Sequence, residues 1–155
     1  IVSLVFWLKR MMLLKDFIAY VVMQIGGAIF GCIVANIIFK LPPVTISTLV
    51  RHDFSQFLSE ILATFGLILV IFIGSEVSKQ TIPVLVGSYI ASAYWFTSST
   101  SFANPAVTVA RQFSDTFTGI SPSGVPTFII AQIFGAILGF IVIQWLTNTV
   151  IESDY

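Results

Sequence analysis

The sequence predicts an all-α membrane protein built as an inverted repeat, with full spans plus two re-entrant half-helices. Three observations carry that expectation. The 155 residues are 57% hydrophobic and 9% charged, with a mean hydropathy of +1.00. Four apolar stretches approach or exceed the roughly 20 residues needed to cross about 30 Å of hydrocarbon. A short apolar segment followed by a full span also occurs twice, with matching residues in register.

The composition excludes several classes. A soluble domain carries about a quarter Asp, Glu, Lys and Arg. Seven basic and seven acidic residues cannot clothe a water-facing surface of this size, which argues against a soluble enzyme. The formal net charge of zero excludes nucleic-acid binding driven by phosphate neutralisation. No nucleophile–base spacing, phosphate loop or metal-ligand cluster appears, so neither catalysis, a cofactor nor a metal is expected. Cys32 is the one cysteine and supplies neither an internal disulfide nor a zinc set. Placed mid-span, it reads as a small packing residue.

In chain order, the end of a first repeat occupies 1–40. It holds a half-helix at 1–8, too short to span, and a span at 17–39 between Asp16 and Lys40. A connecting loop at 41–54 carries Pro42-Pro43, Arg51 and the pair His52-Asp53, which reads as solvated. A second repeat fills 55–150, with spans at 55–73, 82–97 and 125–150 and a half-helix at 105–113. Glu60 is the one charge inside the 55–73 span. Lys9, Arg10 and Lys15 precede the first span, and the positive-inside rule puts that side in the cytoplasm. The loop at 41–54 is then extracellular, and the tail at 151–155 is inside.

The repeat is explicit. Gln24-Ile25-Gly26-Gly27-Ala28-Ile29-Phe30-Gly31 aligns with Gln132-Ile133-Phe134-Gly135-Ala136-Ile137-Leu138-Gly139 at an offset of 108 residues. Upstream, Ile1-Val2-Ser3-Leu4 matches Ala106-Val107-Thr108-Val109 at an offset of 105. Gly27-x-x-x-Gly31 and Gly135-x-x-x-Gly139 are small-residue faces suited to close helix crossing. Gln24 and Gln132 read either as interhelical hydrogen bonds, which is favoured, or as pore ligands. Two spans and Asn104-Pro105 precede the second half-helix, whereas the first half-helix opens the chain. A complete first repeat would put two spans and an Asn-Pro before Ile1, so the chain is expected to be an N-terminally truncated piece.

The run Ser101-Phe102-Ala103-Asn104-Pro105-Ala106-Val107-Thr108-Val109-Ala110-Arg111 has a direct physical reading. Asn is a strong N-cap and Pro is favoured at the first helical position, so a helix starts here. Its first amides lack partners and carry about half an elementary charge of positive dipole. Within a bilayer such a start is tolerable only where it lines a wet cavity. The alternative, a surface loop with an ordinary capped helix, fits poorly between two spans. Residues 98–103 are then an unwound approach whose carbonyls and hydroxyls can replace a water shell.

The Asn104-Pro105-Ala106 tripeptide, the repeated half-helix and the small-residue spans resemble the major intrinsic protein family of aquaporins and glycerol facilitators. The resemblance implies an aquaporin-like fold with the first two spans missing, placed as a multi-pass protein in the plasma or inner membrane. It further implies a homotetramer in the lipid bilayer with one pore per subunit. The half-helices would meet tip to tip, with Ile1 and Val2 opening the first and Asn104 donating to passing solute. It implies that Glu60 braces the loop before Asn104. A lipid-facing carboxylate and a proton relay are the other readings of that residue.

One departure bears on the solute. Many family members have arginine three residues after this asparagine, where Val107 stands, and water-selective members place histidine about twelve residues before it, where Ser92 stands (Ala93 if the loop is one residue shorter). Ser101 would complete the selectivity filter, and Arg111, a turn beyond Val107, would guard the outer mouth. The motif is similar to that of bacterial members associated with arsenic resistance. The expected function is a channel for water and small neutral solutes of the glycerol type, neutral metalloid acids included. A fragment of an ion-coupled transporter and a non-conducting remnant are the competing readings.

Overall fold

The computed structural model describes residues 1–153. Six helices and no strand make up the described residues: α1 (Val2–Leu8), α2 (Leu14–Ile38), α3 (Phe54–Val77), α4 (Ile82–Phe96), α5 (Pro105–Arg111) and α6 (Val125–Ser153). The expected all-α membrane architecture is present. Helices α2, α3 and α6 are each long and apolar enough to cross a membrane. Of the tail expected on the inner side at 151–155, residues 154 and 155 lie outside the described residues.

The long helices overrun the apolar stretches that mark them. Helix α2 starts at Leu14 and so takes in Lys15 and Asp16, the latter at the positive end of the helix dipole. Helix α3 continues past Ile73 to Val77, through Glu76. Hydropathy locates the hydrocarbon, whereas backbone hydrogen bonding continues into the polar layer. Helix α4 departs in the opposite sense. Its 15 residues rise only about 22 Å, short of a full crossing. Pro83 fixes its start, and Thr97 leaves the helix with extended backbone (φ −109°, ψ 142°) while its hydroxyl donates back to the Ala93 carbonyl at 2.7 Å. The span expected at 82–97 is therefore a shorter helix that hands over directly to an irregular segment. Helices α1 and α5 have seven residues each, about 10 Å of rise, and cannot span.

The main packing partnership is α3 against α6. Gly135 and Gly139 make it possible. A Cβ at Gly135 would lie 2.4 Å from the Ile61 carbonyl oxygen, and one at Gly139 would lie 2.9 Å from Ile68 Cβ. Around this crossing, Ala63, Leu67, Ile68, Ile71 and Phe72 of α3 pack with Ala136 and Ile143 of α6, with Val5 of α1 and Ala103 added. The first copy of the glycine pattern behaves otherwise. A Cβ at Gly27 or Gly31 would meet no atom of another element within 4 Å, so the expected crossing there has no partner among the described residues.

The sequence repeat is also a repeat of contacts. Gln24 Nε2 donates to Ser3 Oγ at 3.1 Å, linking α2 to α1. Gln132 Nε2 donates to Thr108 Oγ1 at 2.8 Å, linking α6 to α5. Ser3 and Thr108 occupy the same place in the aligned half-helices. Both glutamines thus make the interhelical bonds that the repeat suggested.

Gly135→Ala should disrupt the α3–α6 crossing, because the atom it meets is backbone and cannot swing aside. A loss of about 1–3 kcal/mol is expected. Thermal unfolding of the purified protein in detergent measures it, and a melting temperature equal to wild type would contradict the close crossing.

Candidate functional site

Residues 97–104 form an irregular segment between α4 and α5, and α3 holds it in place. Three of its non-glycine residues have left-handed backbone: Thr100 (φ 64°), Ser101 (φ 50°) and Ala103 (φ 48°). Each costs of order 1–2 kcal/mol relative to ordinary backbone, so external contacts must hold the path. Glu60, fully buried, supplies four. Its Oε1 accepts from Ser99 Oγ (2.6 Å) and Phe102 N (2.8 Å), and its Oε2 accepts from Ala103 N (2.9 Å) and Gln132 Nε2 (2.7 Å). All four partners are donors, which suits a carboxylate, an acceptor-only group. The preceding residue of α3, Ser59, also holds the segment, its Oγ accepting from Ser98 N at 3.2 Å.

Asn104 caps α5. Its backbone is extended (φ −156°, ψ 119°), its Oδ1 accepts from Ala106 N at 2.9 Å, and Pro105 takes the first helical position. The Asn104 carbonyl accepts from both Thr108 N and Thr108 Oγ1, each at 2.9 Å. With Oδ1 committed to the cap, Nδ2 is the side chain's remaining donor, and it makes no hydrogen bond among the described residues. Helix α5 ends at Arg111, two residues earlier than the expected 113, with Gln112 as its cap.

Two cavities flank this half-helix. The first, about 290 Å³, is lined by Ile1 at the start of α1, by Gln24 of α2, and by Asn104, Pro105 and Ala106. Both half-helices therefore begin at one cavity. Val2 does not line it and packs, as Ile1 also does, against the α3–α6 core. The second cavity, about 240 Å³, is lined by Val107, Ala110 and Arg111 of α5 and by Gly31, Cys32 and Asn36 of α2. Val107 and Arg111, four residues apart, share that face.

The remaining sequence-derived residues are placed less centrally. Ser92 lies exposed on α4, its hydroxyl donating to the Ser88 carbonyl of its own helix at 2.8 Å, and it lines neither cavity. Ser101 is buried, its hydroxyl enclosed and without a partner among the described residues. Arg111 Nη1 donates to the Thr118 hydroxyl in the loop after α5. His52 and Asp53 are exposed.

Sequence reasoning missed two roles. Cys32, read as a packing residue, faces the cavity beside Val107. Arg51, read as one more loop cation, is 4% exposed. Its Nε donates to the Gly119 carbonyl (2.7 Å), Nη1 to Ser99 (3.0 Å) and Nη2 to Phe117 (2.7 Å). Burial lowers its pKa below the usual arginine value, with the charge of Glu60 opposing that shift. All its partners are backbone carbonyls far away in sequence, which no residue-type pattern signals.

Residues 1–97 match the sequence model of the family described as Major intrinsic protein. The chain is also similar to a protein named Aquaglyceroporin AqpS from Rhizobium meliloti (strain 1021), with 48% identity over 145 residues. That match covers 94% of this chain, and the chain spans 62% of that relative's length. No solved structure matches it. The family match ends before Asn104, so the reading of the Asn104-Pro105-Ala106 segment rests on its own geometry.

Glu60→Ala would leave two loop amides, the Ser99 hydroxyl and the Gln132 amide without their acceptor. The expected loss is about 3 kcal/mol or more, with a smaller loss for Glu60→Gln, which keeps one accepting oxygen. Thermal unfolding of the full-length protein in detergent separates the two. Equal melting temperatures for both variants and wild type would contradict the bracing geometry.

Proposed function

Since the chain belongs to the major intrinsic protein family, we propose that it contributes the pore wall of a membrane channel for passive flow of water and small neutral solutes. The observation that carries this reading is the 290 Å³ cavity at which both half-helices begin, with Asn104 on its wall. The cap fixes the asparagine side chain by its oxygen and turns its amide donor free, so a hydroxyl passing the cavity can accept from Nδ2. The positive ends of the two half-helices disfavour protons and cations at the same level. Glu60 braces the loop leading to this point. With four donors already on its two oxygens it has little left to offer a coupling ion, which weighs against the ion-coupled reading.

Selectivity in this reading falls to Val107, with Arg111 at the outer mouth; the other two expected filter positions, Ser92 and Ser101, line neither cavity. Valine offers no hydrogen bond and no charge. Exclusion then comes from size and from the cost of stripping water off charged species. Solutes of the glycerol type and neutral metalloid acids fit that chemistry, while anions do not. The AqpS relative, named as an aquaglyceroporin, supports the polyol assignment. The working unit is proposed to be a homotetramer in the plasma or inner membrane, without cofactor or catalytic activity.

Val107→Arg in the full-length protein should narrow the ring and give it a permanent charge. Glycerol flux should fall about tenfold or more, with water flux falling less. Swelling of reconstituted liposomes under glycerol and sorbitol gradients, with stopped-flow water permeability alongside, measures this. A native channel that conducts water but no glycerol, with the arginine variant unchanged, would contradict the wide-filter reading.

A further inference from the structure

Arg51 lies in the 41–53 connecting loop, yet its guanidinium ties both ends of the α5 half-helix. Nη1 holds the Ser99 carbonyl in the segment that enters α5, while Nε and Nη2 hold Gly119 and Phe117 in the segment that leaves it. The guanidinium carbon also lies 5.5 Å from the centroid of the Phe102 ring, which packs against Phe128 of α6. Ser99 is the shared point. Its carbonyl accepts from Arg51, and its hydroxyl donates to Glu60 at 2.6 Å. The left-handed residues Thr100, Ser101 and Ala103 follow directly, so their path is pinned from the loop side by a cation and from α3 by an anion.

The connecting loop is itself anchored, which makes Arg51 a fixed support. Ser47 N donates to the Gln112 carbonyl at 2.8 Å, Ser121 N to the Leu49 carbonyl at 2.8 Å, and Thr48 N to Asp115 Oδ1 at 2.9 Å. Position 107 is valine, so the long side chain beside it on the second cavity's wall is Arg111, which donates to Thr118, between the Phe117 and Gly119 carbonyls that Arg51 holds. The placement of α5 and of Arg111 therefore depends on the backbone that Arg51 ties on either side of the half-helix. We propose that Arg51 is a positioning residue that fixes this backbone frame and thereby sets the size cut-off for neutral solutes, an inference that rests on the channel reading.

A planar fork with five donors reaches three carbonyls at once, whereas a lysine ammonium on a flexible stem cannot reproduce that geometry. Two variants of the full-length protein, Arg51→Lys and Arg51→Met, test the assignment with two readouts. In liposomes, the ratio of xylitol to glycerol permeability should rise about threefold or more in Arg51→Met and by less in Arg51→Lys, a modest part of what the two extra carbon units of xylitol cost in a packed site. Separately, Ser101→Cys in a Cys32→Ser background, enclosed when Arg51 is present, should label faster with a small water-soluble maleimide when Arg51 is replaced. An unchanged polyol ratio with only lower yield or melting temperature would overturn the specificity role. Unchanged labelling would overturn the positioning role. Absence of any solute flux in the parent protein would sink the channel reading instead, and the labelling rates would still decide whether Arg51 holds the segment.

Discussion

A carboxylate buried in the middle of a long apolar helix is expensive, and the rest of the site is arranged around satisfying it. Glu60 meets that cost by accepting from four donors drawn from two other parts of the chain, the 99–103 segment and α6. The consequence runs further. Gln132 Nε2 reaches both Glu60 and Thr108, and Thr108 Oγ1 reaches the Asn104 carbonyl. One continuous hydrogen-bonded chain therefore links α3, α6 and the cap of α5. The gain on the polar side offsets the strain of three left-handed residues, and neither feature would persist without the other. The glycines of α6 belong to the same arrangement, because only a close α3–α6 crossing brings Gln132 within 2.7 Å of Glu60.

The two copies of the repeat show which parts of that arrangement are general. A glutamine donating to a hydroxyl on the half-helix occurs in both, through Gln24 with Ser3 and Gln132 with Thr108. Among the described residues only the second copy adds a carboxylate, and only there does a capped asparagine precede the half-helix. The glutamine bond fixes each half-helix to its own long helix. The carboxylate network then governs the approach to the half-helix.

Much of this was legible in the sequence, for identifiable reasons. Long helices announce themselves because uncharged runs of more than 20 residues have few alternatives. The α5 cap was legible because Asn followed by Pro constrains backbone locally, and the pairing of glutamines with the half-helices because a repeat exposes what both copies keep. Local signals failed at α4 only in reading it as a full span, since Pro83 and the hydroxyl-rich run from Thr97 bound it at 15 residues, short of a crossing. They failed again at Gly27 and Gly31, where small residues face open space although their counterparts in α6 pack against α3. Arg51 was illegible in principle. Its partners are the carbonyls of Ser99, Phe117 and Gly119, and carbonyls carry no residue identity. Cys32 illustrates the same limit, since which face of α2 meets a cavity depends on where α5 lies.

The central claim is that one carboxylate holds the strained approach to Asn104. Hydrogen–deuterium exchange at the Phe102 and Ala103 amides of the full-length protein in lipid nanodiscs tests it most directly. Both amides should exchange as slowly as those in the cores of α3 and α6, and Glu60→Gln should speed at least one of them about tenfold or more while leaving the helix cores protected. Two fast amides in the wild-type protein, or slow amides indifferent to the substitution, would contradict it.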